Sequence, residues 1–152
     1  MLNQIDEISG IGLHLDLVLR CIQDAYLKKF AELGVDLTIE QWVILHRISE
    51  LGKEASQREI VRTNFRNRAT TSRVIGKLEK KEWITKTRFE GDQKRFKLEV
   101  TRKGRRVINK ILPHAVELRK LAINSLDRSE FDVFLKVLNQ IGTNYADGLD
   151  NA

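Results

Sequence analysis

The chain has 152 residues, of which 32% are charged and 41% hydrophobic, with one cysteine and a formal net charge of +6. That length suits one domain, or a compact domain with an appended helical part, and a core that needs neither disulfides nor metal. Wholesale disorder is excluded by the apolar content. The apolar runs fall short of the ~18 residues of a membrane span, the acidic start MLNQIDEISG is not a signal peptide, and a lone cysteine fits a reducing cytoplasm.

The charge is segregated. Between Arg58 and Arg106, 17 Lys and Arg stand against 6 Asp and Glu, whereas the flanks hold 10 against 15. A basic middle between mildly acidic ends favours a polyanionic partner for the middle.

From about Ile8 to Leu33, apolar residues at three- and four-residue steps (Ile11, Leu15, Val18, Ile22) predict a long helix, and Leu13, Leu17 and Leu19 widen its stripe. A helix apolar on more than one side has more than one neighbour. Gly34 stops it. Thr38-Ile39-Glu40-Gln41 has the spacing of a capping box, so a second helix starts at Ile39 and ends at Gly52. Ser56-Gln57-Arg58-Glu59 repeats the device for a short helix through about Thr63, followed by a polar corner, NFRN.

Residues 67–81, NRATTSRVIGKLEKK, form the next predicted helix, with Asn67 as its N-cap. One side collects Thr71, Val74, Ile75 and Leu78, enough to dock on a core; the other collects Ala69, Ser72, Arg73, Gly76 and Lys80. Small side chains with cations beside them let a helix sink into the DNA major groove, where Arg and Lys reach bases and phosphates. Two short helices, a corner and this helix make a helix-turn-helix.

After Trp83 the period becomes alternating. Ile84–Phe89 and Lys94–Val100 read as two strands around Glu90-Gly91-Asp92-Gln93, with Phe96, Leu98 and Val100 on one face. The hairpin is a basic wing, leaning on the helices for stability. A further helix runs from Thr101 to about Leu126, with an apolar side of Val107, Ile111, Val116, Leu118, Leu121 and Ala122 and a bend at Pro113. Asp127-Arg128-Ser129-Glu130 opens the last helix, along which Phe131, Phe134, Leu135, Leu138, Ile141 and Tyr145 recur. The fold class is mainly α with a small β-hairpin wing: a winged helix-turn-helix with further helices at both ends, which the resemblance described next makes a helical dimerisation region.

The segments LTIEQWVILHRIS, SQREI, NRATTSRVIGKLEKKEWITK and GDQKRFKLEVTRKG, in this order, resemble the multiple-antibiotic-resistance regulator (MarR) family of winged-helix repressors over nearly the whole chain. The last is the most discriminating, with Asp92-Gln93-Lys94 at the wing and Val100-Thr101-x-x-Gly104 opening a long helix. The resemblance implies a homodimer in which residues 1–36 and 102–152 form the dimerisation region and 37–101 the DNA-binding domain. It also implies a pseudo-palindromic double-stranded operator, a cytoplasmic location, and release by a small aromatic or anionic effector. Arg68, Thr70, Ser72, Arg73 and Lys77 are then expected to face DNA from recognition helix 67–81. Asp92 and Lys94 are expected at the minor groove, within the wing 84–100. The family's wing arginine is Lys94 here, with Arg95 directly after it, so either residue is a candidate contact. Phe65 stands where the family usually has a glycine, which reshapes the corner.

Each feature has a plainer reading. Arg73 could pair with Glu79 on a solvated face, Lys80 and Lys81 read as solvent lysines, and Asp92, repelled by phosphate, orients a wing cation or closes the turn. Cys21, beside Val18 and Ile22, reads as a buried structural cysteine. His14, His46 and His114 lie on three helices without metal-ligand spacing, so no metal and no cofactor is expected. His14 or His46, with Trp42 and Tyr26, are candidates to line an effector pocket. No nucleophile–base pair, glycine-rich phosphate loop or carboxylate pair marks an enzyme. A protein-interaction module is the competing reading, and the basic Arg58–Arg106 region argues against it.

Overall fold

The computed structural model describes residues 10–63, 68–89 and 92–150. Its elements follow in chain order as α1 (Gly10–Glu32), α2 (Ile39–Leu51), a 3-10 turn (Gly52–Glu54), α3 (Gln57–Thr63), α4 (Arg68–Lys80), β1 (Ile84–Phe89), β2 (Asp92–Val100), α5 (Arg102–Ala122) and α6 (Arg128–Asp150). The predicted N-cap Asn67 and the corner 64–67 lie outside the described residues.

Local chemistry sets most boundaries. At the end of α1, Gly34 takes φ +63°, its N–H donates to the Ala31 carbonyl (2.9 Å), and Val35 N–H donates to Phe30 (2.9 Å). This is a Schellman motif, which uses glycine's freedom in the left-handed region to satisfy orphan carbonyls. Helix α2 then opens on a complete capping box: Gln41 N–H donates to Thr38 Oγ1 (3.2 Å), and Thr38 N–H donates to Gln41 Oε1 (3.4 Å). Ser56 Oγ accepts from Glu59 N–H (3.2 Å) at the start of α3.

The core is built from Ile44, Leu45 and Ile48 of α2, Ile60 of α3, Ile75 and Leu78 of α4, Ile84 and Leu98 of the strands, and Ile108, Ile111 and Ala115 of α5, all at most 2% exposed. Each such Ile or Leu contributes about 1.5–3 kcal/mol by leaving water. The antiparallel hairpin pairs Ile84 with Val100, Lys86 with Leu98 and Arg88 with Phe96, and a register shift follows Arg88. Its inner strand is also held to the helices: Leu98 N–H donates to the Ala55 carbonyl (3.0 Å), and Ser56 bridges Lys97.

Helix α5 differs from its sequence reading in two ways, in its buried side and in where it ends. The buried side of α5 is Gly104, Ile108, Ile111 and Ala115, whereas Val116 and Leu121 are exposed. That helix also ends at Ala122, not Leu126. The chain turns through 123–126 with Ser125 at φ +70° so that Asp127 can cap α6. Pro113 lies inside α5 without splitting it into two helices. The described chain falls into two compact units, one ending at Val116 and the other beginning at Glu117. Among the described residues, no helix is long and apolar enough to cross a membrane.

Apolar side chains remain uncovered on both terminal helices. Leu13, Leu17, Val18, Leu19, Ile22 and Leu27 are exposed on α1 (Leu19 51%), and Val133, Phe134, Leu135 and Val137 are exposed on α6 (Phe134 49%). Cys21 is exposed along with them, contrary to the buried reading. Its neighbours Val18 and Ile22 give it an apolar setting, but they are exposed too.

Candidate nucleic-acid interface

Helix α4 divides as its sequence predicts. Thr71, Ile75 and Leu78 are buried, and Val74 is half-buried beside them. On the remaining surface Arg68, Ala69, Arg73 and Lys77 are exposed, with Thr70, Ser72 and Gly76 half-buried between them. Gly76 has open space where a side chain would stand, so the helix is thin on this side.

The cations of the basic segment fall into two groups. Lys81 pairs with Asp36 (2.9 Å), Lys103 with Glu82 (2.9 Å) and Arg62 with Glu59 (2.7 Å). The hydrogen bond from Arg62 is the main cause holding the Glu59 carboxyl below its usual range, and Lys103 does the same to Glu82. Their positive charge is partly spent inside the molecule. By contrast Arg68, Arg73 and Lys77 have no ion-pair partner among the described residues, and Arg73 does not pair with Glu79. An exposed guanidinium without a carboxylate is available to an outside anion.

The wing orders its cations on aromatic rings. Lys86 Nζ lies 4.2 Å and the Arg88 guanidinium 5.9 Å from the Phe96 ring centre, and the Arg95 guanidinium lies 4.4 Å from that of Phe89. Exposed contacts of this kind are worth ~0.5–1 kcal/mol each. That is enough to limit where the long side chains wander. Arg88 is one of the cations that the sequence places at the solvent end of the hairpin, with Lys94 and Arg95; Lys86 was not singled out, and strand alternation was the signal that could have placed it. The side chains of Asp92 and Lys94, both expected at the wing, lie outside the described residues, although their backbone belongs to β2.

Between α3, the start of α4 and the wing lies a cleft of about 490 Å³ lined by Gln57, Arg58, Val61, Arg68, Lys86, Arg95 and Phe96. Its described lining includes four cations and no carboxylate. Gln57 Nε2 donates to Ser72 Oγ (3.1 Å), fixing α3 to α4, and Gln57 Oε1 is buried with no partner among the described residues. The aromatic residues expected to line an effector pocket lie elsewhere and pack on one another. Phe30 contacts Tyr26 (6.1 Å) and Trp42 (6.3 Å), Trp42 stacks on His46 (5.1 Å), and Tyr26 Oη donates to the Ala115 carbonyl (3.4 Å).

The end of α4 is fixed as firmly as its exposed side is open. Trp83 N–H donates to the Leu78 carbonyl (3.1 Å) and Glu82 N–H to Glu79 (2.8 Å), closing a Schellman motif on a non-glycine residue, Glu82, at φ +58°. Thr101 joins this end to the start of α5. Its N–H donates to the Trp83 carbonyl (3.0 Å), its hydroxyl donates to Glu82 O (2.7 Å) and accepts from Gly104 N–H (3.0 Å). A Cβ on Gly104 would stand 2.0 Å from the Trp83 carbonyl oxygen, so only glycine permits this approach. The Thr-x-x-Gly spacing therefore marks the joint between wing and α5.

Residues 37–96 match the family model of the MarR family. Among solved structures, the chain is similar to a MarR-family transcriptional regulator from Listeria monocytogenes complexed with 26mer DNA (25% identity, TM-score 0.74, covering 91% of this chain and 90% of that one). It is also similar to MepR of S. aureus, solved as a DNA complex (17%, TM-score 0.79, 88% and 97%). A third similar structure is BpsR of Bordetella bronchiseptica, whose DNA binding is regulated by 6-hydroxynicotinic acid (17%, TM-score 0.76, 92% and 98%).

Proposed function

We propose that this chain, a member of the MarR family of winged-helix transcriptional regulators, is a homodimeric, sequence-specific repressor that acts in the cytoplasm and has no enzymatic role. The observation that carries this reading is the pairing, on one helix, of a buried core side with a thin opposite side bearing Arg68, Arg73 and Lys77, none of them neutralised by a described carboxylate. Residues 67–81 would lie in the major groove, with Arg68, Thr70, Ser72, Arg73 and Lys77 toward the DNA. The wing 84–100 would lie at the minor groove, where Asp92, Lys94 and Arg95 are the proposed contacts. The DNA complexes of the Listeria and S. aureus proteins support this placement.

The uncovered apolar sides of α1 and α6 support a dimer built from residues 1–36 and 102–152, with 37–101 as the DNA-binding domain. Two-fold symmetry then implies a pseudo-palindromic operator with half-sites ~34 Å apart. A gel-shift titration tests the reading. Arg73→Ala should cost ~1–3 kcal/mol in operator affinity and relax base preference. Unchanged affinity and preference would remove Arg73 from the interface.

Effector release is the finer part of the proposal. The cleft of Gln57, Arg58, Arg68, Lys86 and Arg95, with no carboxylate among its described lining residues, suits a small aromatic anion better than Tyr26, Trp42 and His46, whose rings already pack on their neighbours. The small-acid control of BpsR supports an anionic ligand. A melting screen against aromatic acids, with Lys86→Ala as control, checks it, because a ligand bound only by the folded state raises the melting temperature.

A further inference from the structure

Resting on the dimeric DNA-binding reading above, we infer that Lys81 is a positioning residue that fixes the attitude of recognition helix α4 against the α1–α2 connection, and so the separation of the two recognition helices in a dimer. Lys81 immediately follows α4, and its N–H closes the last turn on the Lys77 carbonyl (3.1 Å). Its ammonium has three N–H groups, and three oxygens accept them: the Asp36 carbonyl, Asp36 Oδ2 (2.9 Å) and Gln41 Oε1 (3.3 Å). The same ammonium lies 4.8 Å from the centre of the Trp83 ring. A lysine with every donor engaged and an aromatic ring beneath it is not a solvent lysine. Lys80, one residue earlier, is exposed and has no ion-pair partner among the described residues.

The partners are unequal. The Asp36 side chain is 98% exposed, so its ion pair with Lys81 adds little on its own. Gln41, 4% exposed, and the Asp36 carbonyl are the firm points. Gln41 Oε1 also accepts from Thr38 N–H within the capping box of α2. All the oxygens come from residues 36–41, a connection closed at one end by the Gly34 Schellman motif and at the other by that capping box. Lys81 ties the end of α4 to the α1–α2 connection at Asp36 and to the first turn of α2 at Gln41. In the proposed dimer α1 is held by the second copy while α4 enters the groove, so a displacement of α1 reaches the recognition helix through this contact.

The test uses the full-length protein. Spin labels at Lys80→Cys, in a Cys21→Ser background, report the distance between the two α4 helices in the free dimer. Lys81→Met, which keeps the stem and removes all three donors, should broaden a narrow distribution. It should also weaken operator binding about tenfold, with non-specific binding within about twofold. The slope of log affinity against log salt should not change, because Lys81 is not assigned to a phosphate. Asp36→Asn, which leaves both firm acceptors, should change operator affinity by less than about threefold. An unchanged distance distribution and operator affinity in Lys81→Met would overturn the inference. So would a salt slope reduced by about 0.9, the signature of one lost phosphate contact. If Lys81→Met does not fold, Lys81→Leu, which also removes all three donors, takes its place under the same criteria. A monomeric mass, or no duplex binding by the unsubstituted protein, would instead defeat the proposed function and the inference with it. A DNA-binding dimer indifferent to Lys81 defeats the inference alone.

Discussion

The winged-helix segment and the terminal helices are drawn from similar residues but satisfied in different ways. In α2, α3, α4 and the strands, apolar side chains close on one another within the chain: Leu45, Leu78 and Leu98 have no exposed surface. In α1 and α6, leucines, valines and phenylalanines of the same kind stand half in water, and no described residue of α6 is fully buried. A half-exposed stripe running the length of a helix is not a folding defect. It is surface that the described residues leave uncovered, and in the proposed dimer the difference separates the self-sufficient part of the molecule from the part that a second copy covers.

The largest expected effect breaks the dependent half. Phe134→Asp places a carboxylate on the uncovered side of α6, and in the proposed dimer it should cost about 4 kcal/mol, roughly a thousandfold in the dimer constant. Light scattering should show a monomer whose near-ultraviolet dichroism from Trp42 and Trp83 persists. A dimer of unchanged strength would mean that α6 is not the contact.

The next change strikes the self-sufficient half. Gly104→Ala forces a methyl group against the Trp83 carbonyl, at a separation that backbone must yield to. A loss of about 3 kcal/mol, read from denaturant unfolding, is expected. Wild-type stability would show that the α5 start can shift freely. The smallest effect concerns the start of α6. The Asp127 carboxyl lies below its ordinary range, chiefly because Glu130 N–H donates to it and then because the Ser129 hydroxyl does. A carboxyl depressed in the folded state gives stability that is present above its unfolded pKa and lost as pH falls through the folded one. Helicity at α6 should therefore decline below about pH 4, and Asp127→Asn, a comparable cap that does not titrate, should flatten that decline in far-ultraviolet dichroism.

Much of this was legible in the sequence because the signals were local. The capping residues of α2 and α3, Gly34, the alternation of the strands and the two sides of α4 each depend on residues within a turn or a pleat of one another. The misjudged features depend on distance. Lys81 was read as a solvent lysine because its partners stand 40 and 45 positions earlier in the chain. The buried side of α5 starts from Gly104, which periodicity does not count as apolar, yet it is the position that approaches Trp83 most closely. The fate of Cys21 could not be settled by its apolar neighbours, since they are uncovered too. Within the site, the exposed cations of α4 could be read from helix geometry, but which cations of the segment were already neutralised could not.

The joint at Gly104 has a mechanical consequence. With no side chain between the first turn of α5 and the strand-leading Trp83, and with Thr101 bonded to both, the hairpin has no hinge where it meets that helix. The base of the wing is thus tied to the start of α5 as well as to the helices it packs on. A tilt at the root of α5 is therefore passed to the base of the hairpin, where Trp83 leads into β1.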